Sequence, residues 1–211
     1  MASFIKYFSR SSAGAFGKLL CLGVVFWVAS CTASPFVPPP VSPAPAAPVP
    51  VRVLLLVPES FERFVYVSFR EEGEVRHRFG VEATDQLRAL LGRYYSRVAL
   101  DVTGSEAEAM DRVSAYREAG GGYRDFELVA VPRFVRVEAW HRRYKHGFDV
   151  DLQVEFFSTL ESKVTKLVGH GESEIGAYAT STPLEAGRLA LEYAVSAIGD
   201  GIYSSRDLRA P

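Results

Sequence analysis

Eight of the chain's twelve prolines fall within residues 35–50, PFVPPPVSPAPAAPVP. Each proline fixes φ and lacks an N–H, so this stretch cannot build a helix or a sheet ladder. The composition predicts a semi-rigid polyproline II spacer, spanning about 50 Å at ~3.1 Å per residue. Whatever folds must lie beyond it. Residues 51–211 suffice for one domain with a core of its own.

The segment before the spacer has three parts. Lys6, Arg10 and Lys18 make a positive start without an acidic residue, and Leu19 to Val28 (LLCLGVVFWV) is an apolar run. Small residues Ala29 and Ser30 then lead to Cys31. This is the layout of a secretory signal over residues 1–30. Its apolar run is half the roughly 20 residues that a spanning helix needs, so a permanent transmembrane helix is not expected.

Val28-Ala29-Ser30-Cys31 resembles the lipobox of bacterial lipoproteins. The resemblance implies diacylglycerol transfer to the Cys31 thiol, cleavage before it, and acylation of the new terminus, typically with palmitate. Several acyl chains hold a protein in a membrane, whereas one binds only marginally. Thr32 follows, not the Asp that retains such proteins in the inner membrane. The resemblance therefore implies an outer-membrane anchor on the periplasmic face.

Loss of the leader takes three of the 24 Lys and Arg and none of the 25 Asp and Glu, leaving a formal charge of −4. That balance carries no nucleic-acid footprint. Cys21 leaves with the leader and Cys31 is the acylation site. The domain is thus expected to hold no disulfide, thiol nucleophile or Cys-ligated metal, and to be stable by packing alone.

Along residues 51–205, Val51–Val57 reads as a buried strand and Phe61–Phe69 as a second, closed by a turn at Glu71-Glu72-Gly73-Glu74. Phe79 to Tyr95 repeats apolar residues at helical spacing. Arg97–Val102 alternates as a strand, and Ser105 with Glu108 marks a helix start. Phe126–Trp140 is a long strand in which Pro132 requires an edge or a bulge. Phe148, Val150, Leu152, Val154 and Phe156 alternate with Asp149, Asp151, Gln153 and Glu155, one face core and one wet. A third antiparallel strand spans 162–175. A last helix opens at Ser181-Thr182-Pro183, its apolar face rich in alanine for close approach to a sheet. Residues 206–211 read as a loose tail. The class is α+β, a mixed or antiparallel sheet with helices packed on one face, in the order β-β-α-β-α-β-β-β-α.

No catalytic constellation emerges. Gly171-Glu172-Ser173-Glu174-Ile175 fails the nucleophile elbow at its fifth position, so Ser173 reads as an exposed strand-end serine. His141, His146, Asp149 and Asp151 fit no ligand spacing, and no metal or cofactor is expected. Arg76-His77-Arg78 reads as a solvated charge run. The Gly120-Gly121-Gly122 run lacks the Lys and Ser/Thr of a phosphate loop. What stands out is Trp140, Arg142, Arg143 and Tyr144, aromatics and cations together at a hairpin tip. Such residues are enriched at protein interfaces.

The lipidated cysteine, the spacer, and early β/α elements followed by three long strands and a last helix resemble small envelope-assembly lipoproteins. These are the lipopolysaccharide-assembly lipoprotein and lipoproteins with a domain like the curli-secretion subunit. The resemblance over residues 51–204 implies a non-catalytic adaptor or assembly factor. Such a protein would be held to the membrane by its lipid and docked to an envelope protein, with no nucleic acid. The alternative from the same features is an envelope module binding lipid, glycan or peptidoglycan.

Overall fold

The computed structural model describes residues 43–70, 73–118, 126–142, 145–159, 163–176 and 182–209. In chain order the elements are β1 (Val49–Pro58), a single helical turn α1 (Glu59–Glu62), β2 (Tyr66–Arg70), β3 (Gly73–His77), α2 (Phe79–Tyr94) and β4 (Tyr95–Thr103). There follow α3 (Glu106–Glu118), β5 (Leu128–Arg142), β6 (Lys145–Ser158), β7 (Val164–Gly176), α4 (Pro183–Ser204) and the turn α5 (Arg206–Arg209).

Five strands form one mixed sheet in the order β4-β1-β5-β6-β7. β1 pairs in parallel with β4 and β5, while β5, β6 and β7 run antiparallel. The fold is therefore α+β with a mixed sheet, as expected. The central place of β1 explains its continuous apolar run. Val53, Leu55 and Val57 point to one face and Leu54 and Leu56 to the other, all buried.

The helices occupy both faces, where the sequence suggested one. α2 and α4 share the larger core with Val53, Leu55, Leu128, Ala130 and the even-numbered apolar residues of β6. Ala109, Val113 and Tyr116 of α3 cover Leu54, Leu56, Val129 and Phe157 on the opposite side. Topology supplies the reason. From β1 the chain moves one way to β4, then back past β1 to β5. Two parallel crossovers of the same hand that run in opposite directions must use opposite faces.

Residues 61–69 do not form one strand. Phe61 falls in the turn α1, and β2 begins only at Tyr66. Beyond the expected turn, β3 pairs with β2 as a separate hairpin, Tyr66↔His77 to Arg70↔Gly73. An alternating aromatic run satisfies strand periodicity. Here Phe61 is instead pulled inward to stack on Phe134, ring centroids 4.6 Å apart.

Close approach fixes α4. A Cβ at Gly169 would lie 2.0 Å from the Ala194 carbonyl oxygen, and one at Gly171 would lie 1.9 Å from that of Ala190. The two glycines, on one face of β7, let the alanine stripe of α4 lie directly on the strand backbone. The helix start is capped reciprocally. Thr182 Oγ accepts from Glu185 N–H at 3.3 Å, and Glu185 Oε2 accepts from Thr182 N–H at 2.6 Å. Leu191, Ile198 and Ile202 are fully buried, worth about 1.5–3 kcal/mol each.

Two boundaries shift. Pro50, assigned to the spacer, enters β1 where the register with β4 is irregular, between Val49 and Arg52. Over residues 206–209 the tail is a helical turn, because Leu208 is drawn into the core. Pro132 sits two residues beyond the last β1 partner on β5, where its missing N–H costs no β1–β5 bond.

Candidate interaction surface

Paired residues of antiparallel strands share a face, so the register of β5, β6 and β7 places side chains in rows across the part of the α3 face that α3 leaves uncovered. Arg136, Asp151 and His170 form one row, and Glu138, Asp149 and Glu172 the next. Trp140, Gly147 and Glu174 follow, and Arg142 pairs with Lys145 at the end of the ladder. Asp149 and Asp151 lie on the wet face, as the alternation predicts.

Polar contacts lace these rows together. Arg136 Nε donates to Asp151 Oδ2 at 2.9 Å and its Nη1 lies 3.8 Å from Asp149 Oδ2. His170 Nδ1 stands 2.6 Å from Asp151 Oδ1. Burial pushes the Asp151 carboxyl up, but the hydrogen bonds of His170 and Arg136 and the Arg136 charge outweigh it. The group is held below its ordinary value. Lys145 Nζ pairs with Glu174. Val135, at the bulge of β5, and Val168 of β7 are more than half exposed on the same face.

Trp140 does not stand free at the tip. It folds back over Gly147, its directly paired residue, where a Cβ would come within 2.5 Å of ring atom Cζ2. The indole Nε1 donates to Asp149 Oδ1 at 3.3 Å. Trp140 is thus a half-buried, positioned ring. The β5–β6 ladder extends to Arg142↔Lys145. Arg143 and Tyr144 lie outside the described residues, as do Cys31, the leader and the glycine triplet. Of the sequence quartet, only Trp140 has described side-chain geometry.

The remaining motifs resolve differently from their sequence reading. Ser173 is buried, not exposed, and its Oγ accepts from Phe148 N–H at 3.1 Å, because β7 is in register with β6 as far as Lys145↔Gly176. His77 is likewise no part of a solvated run. It stacks on Phe79 at 5.6 Å and lies 4.6 Å from Phe148, beneath the β2–β3 hairpin, while Arg76 beside it is exposed. His146 points to the core face with Ile175, away from Asp149 and Asp151. Among the described residues no group of three His, Cys, Asp or Glu could hold a metal ion.

An open sheet of this kind binds ligands outside the carboxyl ends of its parallel strands, where the strand order reverses. Here that point lies beyond Pro58 and Ala130, between β1 and β5. Phe61 and Phe64 occupy it, stacked and tilted on Phe134 at 4.6 and 5.0 Å. Sequence reasoning missed this aromatic plug. Its signal was the repeat Phe61-x-x-Phe64, which fits a helical turn as well as a strand.

No family model matches the chain, and no curated protein matches it. Among solved structures it is similar to the hypothetical protein CT253 from Chlamydia trachomatis, with 11% identity, TM-score 0.43, and 75% of this chain and 100% of that chain covered. A PelC dodecamer from Paraburkholderia phytofirmans gives 18% identity and TM-score 0.36 over 75% of this chain and 94% of that one. Lipoprotein GNA1162 from Neisseria meningitidis gives 12% and 0.34 over 74% and 100%. Likenesses this loose identify neither a family nor an activity.

Proposed function

We propose that this chain is a lipid-anchored lipoprotein of the bacterial envelope acting as a non-catalytic adaptor or assembly factor. Acylated Cys31 and the proline-rich spacer hold its domain at the periplasmic face of the outer membrane. The end of the β5–β6 hairpin, with Trp140, Arg142, Arg143 and Tyr144, meets an envelope protein.

One observation carries this reading. The spacer joins the domain at the Val49↔Tyr95 end of the sheet, whereas the hairpin ends at the other. From Leu128, level with Val53, to Arg142 is fourteen residue steps along β5, about 45 Å at ~3.3 Å per step. A domain tethered at one end presents Trp140 and the basic tip at the end away from the root of β1. The aromatic plug also fills the place where such a sheet would take a small ligand.

In-cell crosslinking, followed by purification from outer membranes and mass spectrometry, tests the proposal. One envelope protein recovered in near-equal amount, and lost when Trp140→Ala and Tyr144→Ala are combined, is the expected result. Recovery of the chain alone would refute the adaptor and turn attention to ligands. Independently, Cys31→Ala should release the protein from membranes and change its migration. A variant that stays bound and migrates unchanged would sink the anchor.

A further inference from the structure

We infer that residues 43–48, the described end of the proline-rich segment, form a releasable strap latched by the phenol of Tyr94. The ring of Tyr94, the last residue of α2, is fully buried in the core. Its hydroxyl reaches two carbonyl oxygens, that of Pro43 at 2.5 Å and that of Gly199 in α4 at 3.0 Å.

A phenol carries one proton, so it donates to one of these carbonyls at a time. Whichever it leaves keeps another partner. Gly199 lies within α4, where its carbonyl can accept from the helix backbone, and Pro43 is exposed to water. Both arrangements are thus satisfied, and opening the strap strands no buried polar group.

Among the described residues, little else secures the segment. Pro43, Pro45 and Pro48 lack N–H groups, and only Pro45 is even half-buried. At its root the β1–β4 register is irregular between Val49 and Arg52. Burial, more than any neighbouring charge, raises the Tyr94 pKa and keeps the hydroxyl a donor through neutral and mildly alkaline pH. Release would free six residues, lengthening the free tether by about 19 Å. That last consequence rests on the lipoprotein reading above; the latch itself does not.

Elastase, which cuts after small residues, can probe the Ala46–Ala47 bond in the full-length protein in detergent. Tyr94→Phe keeps the buried ring and deletes the latch, so cleavage there should accelerate about twofold, the low end of one net hydrogen bond, because the phenol keeps the Gly199 carbonyl when the strap opens. Tyr95→Phe, which changes the neighbouring hydroxyl, serves as control and should cleave at the parent rate. Equal rates for Tyr94→Phe and the parent would overturn the strap, as would equal acceleration by both variants. The same contrast in a Cys31→Ala background separates the latch from the anchor: it should persist there even if the protein is not lipidated.

Discussion

Gly171→Ala adds one methyl group where β7 meets α4, and its cost can be worked from the contact itself. The new Cβ would stand 1.9 Å from the Ala190 carbonyl oxygen and 2.6 Å from the Ala194 nitrogen, whereas ordinary contact begins near 3.4 Å. All these atoms are backbone of a 22-residue helix, so no side chain can swing away. Relief requires α4 to retreat by about 1.5 Å. A gap of 0.5–1 Å already forfeits roughly a quarter to a half of a dispersion contact. The loss would fall on Ala186, Ala190, Ala194 and Ile198 together, all fully buried. Overpacking that side chains can absorb costs about 1–3 kcal/mol. With nothing to absorb it, about 3 kcal/mol or more is expected, lowering the melting temperature by about 6–12 °C. Gly92→Ala is the matched comparison, because a Cβ there meets nothing within 4 Å inside α2. It should stabilise by about 0.5–1 kcal/mol. Thermal and urea unfolding of both variants decide the matter. A Gly171→Ala protein melting with the parent would show that the helix does not rest on the strand backbone.

Three further outcomes are expected. Tyr95 buries a hydroxyl that finds no partner among the described residues, a cost of about 1–3 kcal/mol, so Tyr95→Phe should raise the urea midpoint; a clear fall would contradict the placement. The Arg52 side chain hydrogen-bonds Glu127 at 2.6 and 3.0 Å and, before every other influence, lowers the Glu127 pKa below its ordinary value. A depressed folded-state pKa gives stability that is present above the unfolded value near 4.5 and lost as pH falls through the folded one. Arg52→Met should therefore remove part of that stability at neutral pH and flatten its decline through the carboxylate range; an unchanged pH–stability profile would refute the linkage. Asp151→Asn, which loses the charge between Arg136 and His170, should likewise flatten the acid limb, read by circular dichroism from pH 7 to pH 2.

Much of this architecture was legible because a wet face writes itself into the sequence. β6 alternates cleanly, since Asp149, Asp151 and Glu155 face away from the α2–α4 core; Gln153 lies on the same face but is buried, not wet as the alternation suggested. The start of α4 was equally plain from Thr182 and Pro183, to which the structure adds Glu185 as the reciprocal cap. What stayed hidden depended on pairing. The side taken by α3 follows from β4 and β5 flanking β1, which no local period encodes. β3 was missed because Glu74 and Arg76 face outward on a two-stranded ribbon, leaving His77 as an inward anchor that looks polar on paper. At the candidate surface, the types at residues 140–144 marked the hairpin end. The seating of Trp140 on Gly147 came only from the register.

The central position of β1 has a further consequence for how the protein is made. A chain emerges N-terminus first, so Val51–Val57 is exposed before either neighbour exists. Its first partner, β4, is complete only at Thr103, and β5 begins at Leu128. In contrast, β5, β6 and β7 close through successive local ladders within residues 128–176. The most apolar strand is thus the earliest to be synthesised and must wait longest for both of its edges. During that interval it is the segment most exposed to intermolecular pairing, and a chaperone that shields the nascent chain would be needed there first.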